Sequence, residues 1–272
     1  MPVLYSYTAM IPSLPPSTGP IGVFDSGYGG LTILDKIRGL MPEYDYIYLG
    51  DSARCPYGPR SFEVVYEFTL QAVSKLFELG CPLVILACNT ASAKALRTIQ
   101  QINLPVIDAT RRVLGVIRPT AECIGEITRS RHVGILATAG TIKSESYLLE
   151  IHKLSPDIVV TGEACPMWVS LVENNEYQSE GADYFVKQHI NRLLDKDPMI
   201  DTIILGCTHY PLLLDKIRQF TPGHIRIIAQ GEYVARSLQD YLNRHPEMDA
   251  RCEKGGKCRF LTTESENKFE ES

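Results

Sequence analysis

The segment Val84-Ile85-Leu86-Ala87-Cys88-Asn89-Thr90 has a counterpart far downstream in Ile203-Ile204-Leu205-Gly206-Cys207-Thr208-His209. In each segment an apolar run of strand length ends in a small residue and a cysteine, and two polar residues then begin a helical pattern. Alternating strands and helices are typical of α/β proteins with parallel sheets. The two segments therefore predict two matching strands, each with a thiol just beyond its carboxyl end.

A second pair of segments repeats in the same order. Residues 21–27 read Ile-Gly-Val-Phe-Asp-Ser-Gly, and residues 133–140 read Val-Gly-Ile-Leu-Ala-Thr-Ala-Gly. Each precedes its cysteine segment by a similar distance, which indicates an internal duplication. We expect an α/β fold of two similar flavodoxin-like domains with pseudo-twofold symmetry. Ligands of open sheets bind beyond the carboxyl ends of the strands, so both thiols are expected to line a cleft between the domains.

The same patterns suggest where the domains begin and end. Residues 1–19 are rich in proline and predict an N-terminal extension outside the fold. Residues 20–111 and 226–272 are expected to form the first domain, and residues 112–225 the second. In finer detail, we expect a strand at 104–107, a helix at 110–117 and a hairpin turn between Cys252 and Cys258.

Composition and charge exclude several classes of protein. The 272 residues are 44% hydrophobic and 22% charged, as in an ordinary globular protein. A net charge of -5 argues against a dedicated nucleic-acid partner, because phosphate recognition needs clustered Lys and Arg. No apolar run reaches the roughly 18 residues that cross a membrane, and no signal sequence is apparent, so we expect a cytoplasmic protein. The eight cysteines are then expected to be free thiols.

The sequence carries no nucleotide or metal fingerprint. The glycine-rich turn Asp25-Ser26-Gly27-Tyr28-Gly29-Gly30 fails the G-x-G-x-x-G spacing, and no P-loop Gly-Lys-Ser/Thr follows it. We therefore expect no cofactor. Cys252 and Cys258 lack a second Cys or His pair at ligand spacing, so we expect no metal either. Asp25 itself, at the end of a strand, is expected to face the ligand crevice.

Cys88 and Cys207 allow two interpretations. Free cysteine is often buried as a small hydrophobe, so either thiol alone is more readily explained as core filler. Both thiols, however, directly precede a helix N-terminus, where the dipole and free N–H groups favour the thiolate. Burial explains neither this placement nor its repetition, which favours a functional pair.

Two thiols on opposite walls of a cleft suit the inversion of a carbon stereocentre. One thiolate would remove a proton from one face, while the other thiol donates a proton to the opposite face. A positioned acid or base contributes about 10²–10⁴ in rate, which is less than enzymes commonly need. Polar neighbours are expected to stabilise the developing carbanion as well: Ser26, Asn89, Thr90 and Thr208.

At this point the residues resemble a known family. The motif set is similar to that of the glutamate racemases, in the aspartate/glutamate racemase superfamily, and consists of residues 25–30, Pro56-Tyr57-Gly58, 87–92 and 206–212. The resemblance extends from about residue 21 to about residue 241, although many members carry an Asp-Ser/Gly type of turn where this chain has Ala229-Gln230-Gly231-Glu232. It implies a cofactor-independent isomerase that interconverts L- and D-glutamate and supplies D-glutamate for peptidoglycan, hence for cell wall biogenesis and cell shape. It also implies a homodimer.

The resemblance further implies a role for each matched residue. Cys88 and Cys207 would be the two bases, and Asp25, His209 and Glu173 would be catalytic auxiliaries. From the residues alone, Glu173 lies in a polar run typical of a solvated loop, and His209 would either cap its helix or tune the neighbouring thiol. Substrate binding is implied for a larger set: Asp25, Ser26, Pro56, Tyr57, Gly58, Cys88, Asn89, Thr90, Thr138, Cys207, Thr208 and His209.

Two other functions remain open at this level. A related enzyme would act on aspartate, hydantoins or another acid, and a panel of enantiopure amino acids distinguishes these substrates. A catalytically silent two-lobed protein would close on an amino acid without turnover, although binding alone has no need of two thiols. In each case the partner is a small molecule, with neither nucleic acid nor membrane involved.

Overall fold

The computed structural model of the protein describes residues 18–265. The expected extension therefore lies almost wholly outside the described residues. Thr18 and Gly19 are the exceptions, and Gly19 forms a parallel bridge with Cys252 that joins it to the C-terminal part of the chain. Among the described residues, no helix has the length and apolar character required to span a membrane.

The first half of the chain alternates strands and helices. Its elements are, in order, β1 (Ile21–Asp25), α1 (Leu31–Leu40), β2 (Tyr46–Gly50), α2 (Phe62–Glu78), β3 (Leu83–Leu86), α3 (Asn89–Lys94), α4 (Leu96–Thr98), α5 (Leu104–Ile107) and β4 (Arg112–Gly115). A 3₁₀ turn at Ser52–Arg54 and a π-helical turn at Ile99–Asn103 interrupt the alternation. The α2 helix begins at Ser61, whose hydroxyl accepts a hydrogen bond from the Val64 N–H at 3.3 Å.

The second half repeats this alternation. Its elements are α6 (Ile117–Ile127), β5 (His132–Ala137), α7 (Ala139–Lys143), α8 (Ser146–Leu154), β6 (Val159–Ala164), α9 (Trp168–Glu173), α10 (Glu180–Lys196), β7 (Thr202–Gly206), α11 (Leu214–Phe220) and β8 (Arg226–Ile228). A 3₁₀ turn at Tyr210–Leu213 precedes α11. The chain then returns to the first domain through α12 (Gly231–Arg244), α13 (Pro246–Asp249) and β9 (Cys258–Thr262).

The two sheets share one topology. The first has the order β4-β3-β1-β2-β9 and the second the order β6-β5-β7-β8, and all neighbours are parallel. Apart from β9, each sheet places its own first strand between its second and third strands, as flavodoxin-like folds do. The expected fold class is confirmed. The two strands that end at the cysteines, β3 and β7, hold equivalent positions.

Helices cover both faces of each sheet, which explains the continuous apolar strands. In β1, Val23 packs in the core cluster beneath α1 and α12, whereas Phe24 packs in the cluster beneath α2. In β7, Ile204 faces the cluster formed with α6 and α8, and Leu205 faces the cluster formed with α9 and α10. Because the strands are fixed on both sides, their carboxyl ends form a rigid edge at which the site is assembled.

Two expectations about the connection between the domains are wrong. Residues 104–107 form a helical turn with Pro105 in its first turn, where a missing N–H costs little. The following residues 112–115 form a strand instead of a helix, and this strand pairs with β3. Short apolar segments of this kind do not distinguish helix from strand by periodicity alone.

The strand at 112–115 also changes the position of the predicted domain boundaries. The predicted boundary places residue 112 at the start of the second domain, but β4 completes the edge of the first sheet. The predicted return to the first domain begins at residue 226, but β8 completes the edge of the second sheet through β7. Each crossing therefore follows the fourth strand of its sheet, because that strand is still held by backbone pairing.

The predicted hairpin at Cys252 and Cys258 is also wrong. Cys252 bridges to Gly19, whereas Cys258 begins β9, which pairs in parallel with β2. The intervening residues are tied to the preceding loop because the Asp45 carboxylate accepts hydrogen bonds from the N–H groups of Gly255 and Lys257. The segment adds a fifth strand to the first sheet, so its two thiols do not face each other across a turn.

Candidate active site

Cys88 lies at the junction of β3 and α3. Its backbone follows the last strand residues, and its sulfur caps α3 by accepting a hydrogen bond from the Ala91 N–H at 3.5 Å. The thiol also lies 3.5 Å from the Ser26 hydroxyl, which follows the adjacent strand β1. The side chain is 5% exposed. Adjacent parallel strands thus bring the first glycine-rich turn and the first cysteine segment together.

Cys207 occupies the equivalent junction after β7 and is 6% exposed. Its sulfur lies 3.8 Å from Nδ1 of His209. The Thr208 hydroxyl lies 3.4 Å from the same nitrogen and also donates to the Asp25 carboxylate at 3.2 Å. The second cysteine segment is therefore connected to the first domain through Asp25.

Both thiols line one small cavity between the domains. Its volume is about 10 Å³, room for roughly one water. Apart from Asp25, every residue implied in substrate binding lines it, and Val169 joins them: Ser26, Pro56, Tyr57, Gly58, Cys88, Asn89, Thr90, Thr138, Val169, Cys207, Thr208 and His209. The cleft expected from the duplication is present, in a closed form.

His209 is held by an acid on the side away from Cys207. Nε2 of His209 lies 2.5 Å from the Glu173 carboxylate, and the ring is 2% exposed. Burial alone would lower the pKa of His209, but hydrogen bonding to Cys207 and Glu173, together with the charge of Asp25, raises it to about 10. The ring is therefore an imidazolium at neutral pH. Glu173 ends α9 beside His209 and is only 24% exposed, whereas the following residues 174–176 of its polar run form an exposed turn.

Asp25 lies behind the cavity wall. Its carboxylate is fully buried and accepts hydrogen bonds from Thr208 and from the Gly27 N–H at 3.1 Å. Burial raises the pKa of Asp25, and the His209 imidazolium and these hydrogen bonds oppose the rise. Asp25 ends β1 as expected, but it does not line the cavity and contacts the lining residue Thr208 instead.

The expected effect of the helix terminus on Cys88 is wrong for this closed cavity. Burial raises the pKa of Cys88 to about 12, and the Asp25 charge adds to the rise. Hydrogen bonds with Ser26 and the Ala91 N–H oppose it without reversing it. Cys88 is therefore a neutral thiol, whereas Cys207 has an imidazolium beside it.

Three threonine hydroxyls meet where the two domains touch. The Thr90 hydroxyl lies 2.9 Å from that of Thr138 and 3.3 Å from that of Thr141. Thr138 also caps α7 by accepting a hydrogen bond from the Thr141 N–H at 3.3 Å. These hydroxyls rotate to donate or accept, which suits them to a carboxylate. Thr141 directly follows the repeated segment 133–140 and does not belong to the predicted set of site residues.

Asn89 lines the cavity with most of its amide already engaged. Its Nδ2 donates to Gln230 Oε1 at 2.7 Å, and its Oδ1 accepts from the Tyr147 hydroxyl at 2.6 Å. Nε2 of Gln230 in turn lies within hydrogen-bond distance of the Tyr147 hydroxyl, at 2.7 Å, and of the Val116 carbonyl, at 3.1 Å. Gln230, in the chain crossing after β8, thus links the two domains. The only indication of this role in the sequence is that Gln230 lies in the turn 229–232, which differs from the turn of many family members.

The loop Pro56-Tyr57-Gly58 provides another wall. The Tyr57 hydroxyl donates to the buried Asp51 carboxylate, and the Tyr57 ring packs against Phe24 and Phe68. The Gly58 carbonyl accepts a hydrogen bond from the Gly140 N–H at 3.0 Å. A Cβ at Gly58 would lie 2.8 Å from that of Thr138, so this close contact between domains requires glycine.

Comparison with known proteins identifies the family. Residues 32–238 match the family model described as Asp/Glu/Hydantoin racemase. A glutamate racemase of Roseobacter denitrificans is 40% identical over 253 residues, which cover 89% of this chain and 91% of the relative.

Solved structures agree with that match. The glutamate racemase isoform RacE1 of Bacillus anthracis gives a TM-score of 0.84 at 36% identity, covering 93% of this chain and 91% of that one. The Francisella tularensis glutamate racemase, solved in complex with D-glutamate, gives 0.80 at 32% identity, covering 93% and 90%. With its motifs, fold and relatives in agreement, the chain belongs to the aspartate/glutamate/hydantoin racemase family.

Proposed function

We propose that this protein is a cofactor-independent glutamate racemase in which Cys88 and Cys207 are the two bases. The observation that carries the proposal is that both thiols line one cavity from equivalent strand ends of two domains. The names of its relatives support glutamate as the substrate. Within this proposal the enzyme works as a cytoplasmic homodimer and supplies D-glutamate for peptidoglycan.

The unequal settings of the thiols support a two-base mechanism. Racemisation needs one thiolate and one thiol at the start of each turnover. His209 places a positive charge 3.8 Å from Cys207, which suits the thiolate, while Cys88 is a neutral thiol. The Cys207 thiolate would take the α-proton, and Cys88 would donate its proton to the opposite face. The opposite direction exchanges these states.

The groups around the two thiols would bind the substrate and stabilise the carbanion. Ser26, Thr90 and Thr138 offer hydroxyls for the substrate carboxylates, because the described residues that line the cavity include no Lys or Arg. Hydrogen bonds to the carboxylate would stabilise the carbanion by spreading its charge onto oxygen. Asp25 and Glu173 are positioning residues, since one holds Thr208 and the other holds His209.

A panel of enantiopure substrates tests this function. Circular dichroism should report a loss of ellipticity with either enantiomer of glutamate. The ellipticity should change much more slowly with aspartate or a hydantoin. Faster turnover of aspartate or a hydantoin would assign the chain to another activity within the family. Binding of glutamate with no change in optical activity would identify a silent binding protein.

A further inference from the structure

Three potential metal ligands converge on the side of His209 that faces away from Cys207. They are the Cys55 sulfur, a Glu173 carboxylate oxygen and Nε2 of His209, and all lie within 4.8 Å of one another. We propose that this triad, the inhibitory triad, binds a borderline-soft divalent cation of the Zn²⁺ type and thereby stops the enzyme. The metal binding goes beyond the proposed function and does not depend on it, whereas the inhibition rests on the proposed function.

The spacing of two ligands already suits a shared ion. Zinc binds sulfur at about 2.3 Å and oxygen at about 2.0–2.2 Å, so tetrahedral neighbours of this kind lie roughly 3.6 Å apart. The Cys55 sulfur lies 3.6 Å from Glu173 Oε1. Nε2 of His209 lies 2.5 Å from the same oxygen, so this hydrogen bond must widen by roughly 0.8 Å to admit the ion.

Gly27 lies beside all three ligand atoms. A Cβ built on Gly27 would lie 2.9 Å from Glu173 Oε1, 3.3 Å from the Cys55 sulfur and 3.7 Å from His209 Nε2. A larger residue at this position would therefore crowd the three ligand atoms, so glycine keeps them free to adjust around an ion.

The donor set and its exposure indicate the kind of ion. One thiol, one imidazole and one carboxylate are ligands that Zn²⁺ accepts, whereas Mg²⁺ and Ca²⁺ prefer sets made only of oxygen. Cys55 is partly exposed, and the Glu173 side chain is 24% exposed, so the ion can reach the triad from solvent without passing through the cavity.

Binding would disable the second base through His209. The ion would replace the proton on Nε2 and the thiol proton of Cys55, releasing two protons to solvent. Its bonds to Nε2 and Glu173 would replace the hydrogen bond that now joins these groups. His209 would keep its Nδ1 proton beside Cys207. A ring held by the metal could no longer change its hydrogen bond to Cys207 when that sulfur gains or loses its proton during turnover.

Titration with Cd²⁺ tests the binding, because a thiolate ligand gives an ultraviolet charge-transfer band. We expect one tight equivalent per chain in the wild type. Cys55→Ser and Cys55→Ala should each weaken it by more than about 100-fold, since losing even an outer-shell partner costs about 10–100-fold. Cys123→Ser, which removes another partly buried thiol from α6, is the matched control and should bind as the wild type does.

Two further variants distinguish the triad from the cavity thiols. Cys88→Ser and Cys207→Ser should retain the tight equivalent, because neither sulfur belongs to the triad. If Cys88→Ser or Cys207→Ser lost the charge-transfer band while Cys55→Ser retained it, the ion would lie between the two cavity thiols, and the inference would be overturned. Absence of any tight equivalent in the folded wild type would also overturn it.

The inhibitory part is measured on the active enzyme. One equivalent of Zn²⁺ should abolish racemisation, a chelator should restore it, and Cys55→Ser should need more than tenfold higher Zn²⁺ for half inhibition. Tight binding through Cys55 without inhibition would refute the claim that the bound ion disables the second base through His209. A protein inactive on glutamate but still binding Cd²⁺ through Cys55 would refute the proposed function and leave the metal site intact.

Discussion

At the scale of the residue, the two thiols differ in their surroundings although the sequence repeats them. Cys88 is near a buried carboxylate and a hydroxyl, whereas Cys207 has the His209 imidazolium and, behind it, Glu173. A low-dielectric site magnifies such differences. In the proposed mechanism, the two directions of the reaction would therefore start from different electrostatic surroundings.

Replacing either thiol tests whether both act. Cys88→Ser and Cys207→Ser should each lower kcat/KM by at least about 10²–10⁴, the contribution of a positioned acid or base, because a hydroxyl ionises far less readily than a thiol. Steady-state racemisation assays in both directions measure this. Cys258→Ser, in β9, is the control, and wild-type rates in either active-site variant would contradict the two-base assignment.

The raised pKa of His209 predicts a particular dependence of stability on pH. Because the folded pKa of about 10 exceeds the unfolded value of about 6.5, the stabilisation is full below pH 6.5 and is lost as pH rises towards 10. In His209→Gln this loss should be missing. Urea unfolding at pH 6, 8 and 10 compares the two proteins. Parallel curves of unfolding free energy against pH would show that His209 is not a charged partner in the folded state.

The positions of single residues were predictable where a motif fixes the backbone. Eleven of the twelve residues implied in substrate binding line the cavity, and eight of these follow a strand end or begin a helix, whereas Pro56, Tyr57 and Gly58 lie in a loop. Val169 gave no signal, since an apolar residue in a helix is typical core. The pKa of Cys88 was also unpredictable, because it depends on burial created by the facing domain.

At the scale of the element, loops from opposite domains set how closely the cavity shuts. Gly58→Ala would place a methyl group 2.8 Å from Thr138 Cβ, and we expect at least a tenfold loss of kcat/KM with little change in the free energy of unfolding. Gly39→Ala is the matched control, because its added Cβ meets nothing within 4 Å. That change should stabilise α1 by about 0.5–1 kcal/mol and leave activity unchanged.

The amide of Gln230 ties the chain crossing to both domains. Gln230→Ala would leave the buried Asn89 and Tyr147 groups short of partners, so we expect a loss of about 1–3 kcal/mol in unfolding free energy and a higher KM. Urea unfolding and steady-state kinetics measure both effects. The exposed Gln219→Ala is the control, and an unfolding free energy in Gln230→Ala equal to that of this control would contradict the bridging role.

The fully buried strands and the capped helices were predictable at this scale, but the partly exposed edge elements were not. The apolar runs of β3 and β7 are buried on both faces and therefore indicate strands clearly. The α5 turn and β4 have four residues each and are only partly buried, so their mixed patterns do not distinguish helix from strand. The pairing of β9 with β2 depends on a contact more than two hundred residues away in sequence, which no local pattern encodes.

At the scale of the whole molecule, the cavity of about 10 Å³ is too small for an amino acid. Under the proposed function, we therefore expect the two domains to separate for the substrate to enter. The chain crosses between them only twice within the described residues, after β4 and after β8.

Alkylation with iodoacetamide, followed by peptide mass mapping, tests this opening. In the free protein, Cys88 and Cys207 should react faster than Cys81 and Cys165, which are fully buried within single domains. Saturating D-glutamate should slow the reaction at the two cavity thiols and leave the other two unchanged. Equal rates for all four, unaffected by glutamate, would contradict an opening between the domains.

The most direct test of the central claim is racemisation of L-glutamate in heavy water, stopped early. Two opposed bases deliver a solvent-exchanged hydron from one thiol while the other removes the substrate proton. Mass spectrometry should therefore find deuterium at Cα of the newly formed D-glutamate and almost none in the remaining L-glutamate. D-glutamate without deuterium, or deuterium appearing equally in both enantiomers as a single base would give, would contradict the account.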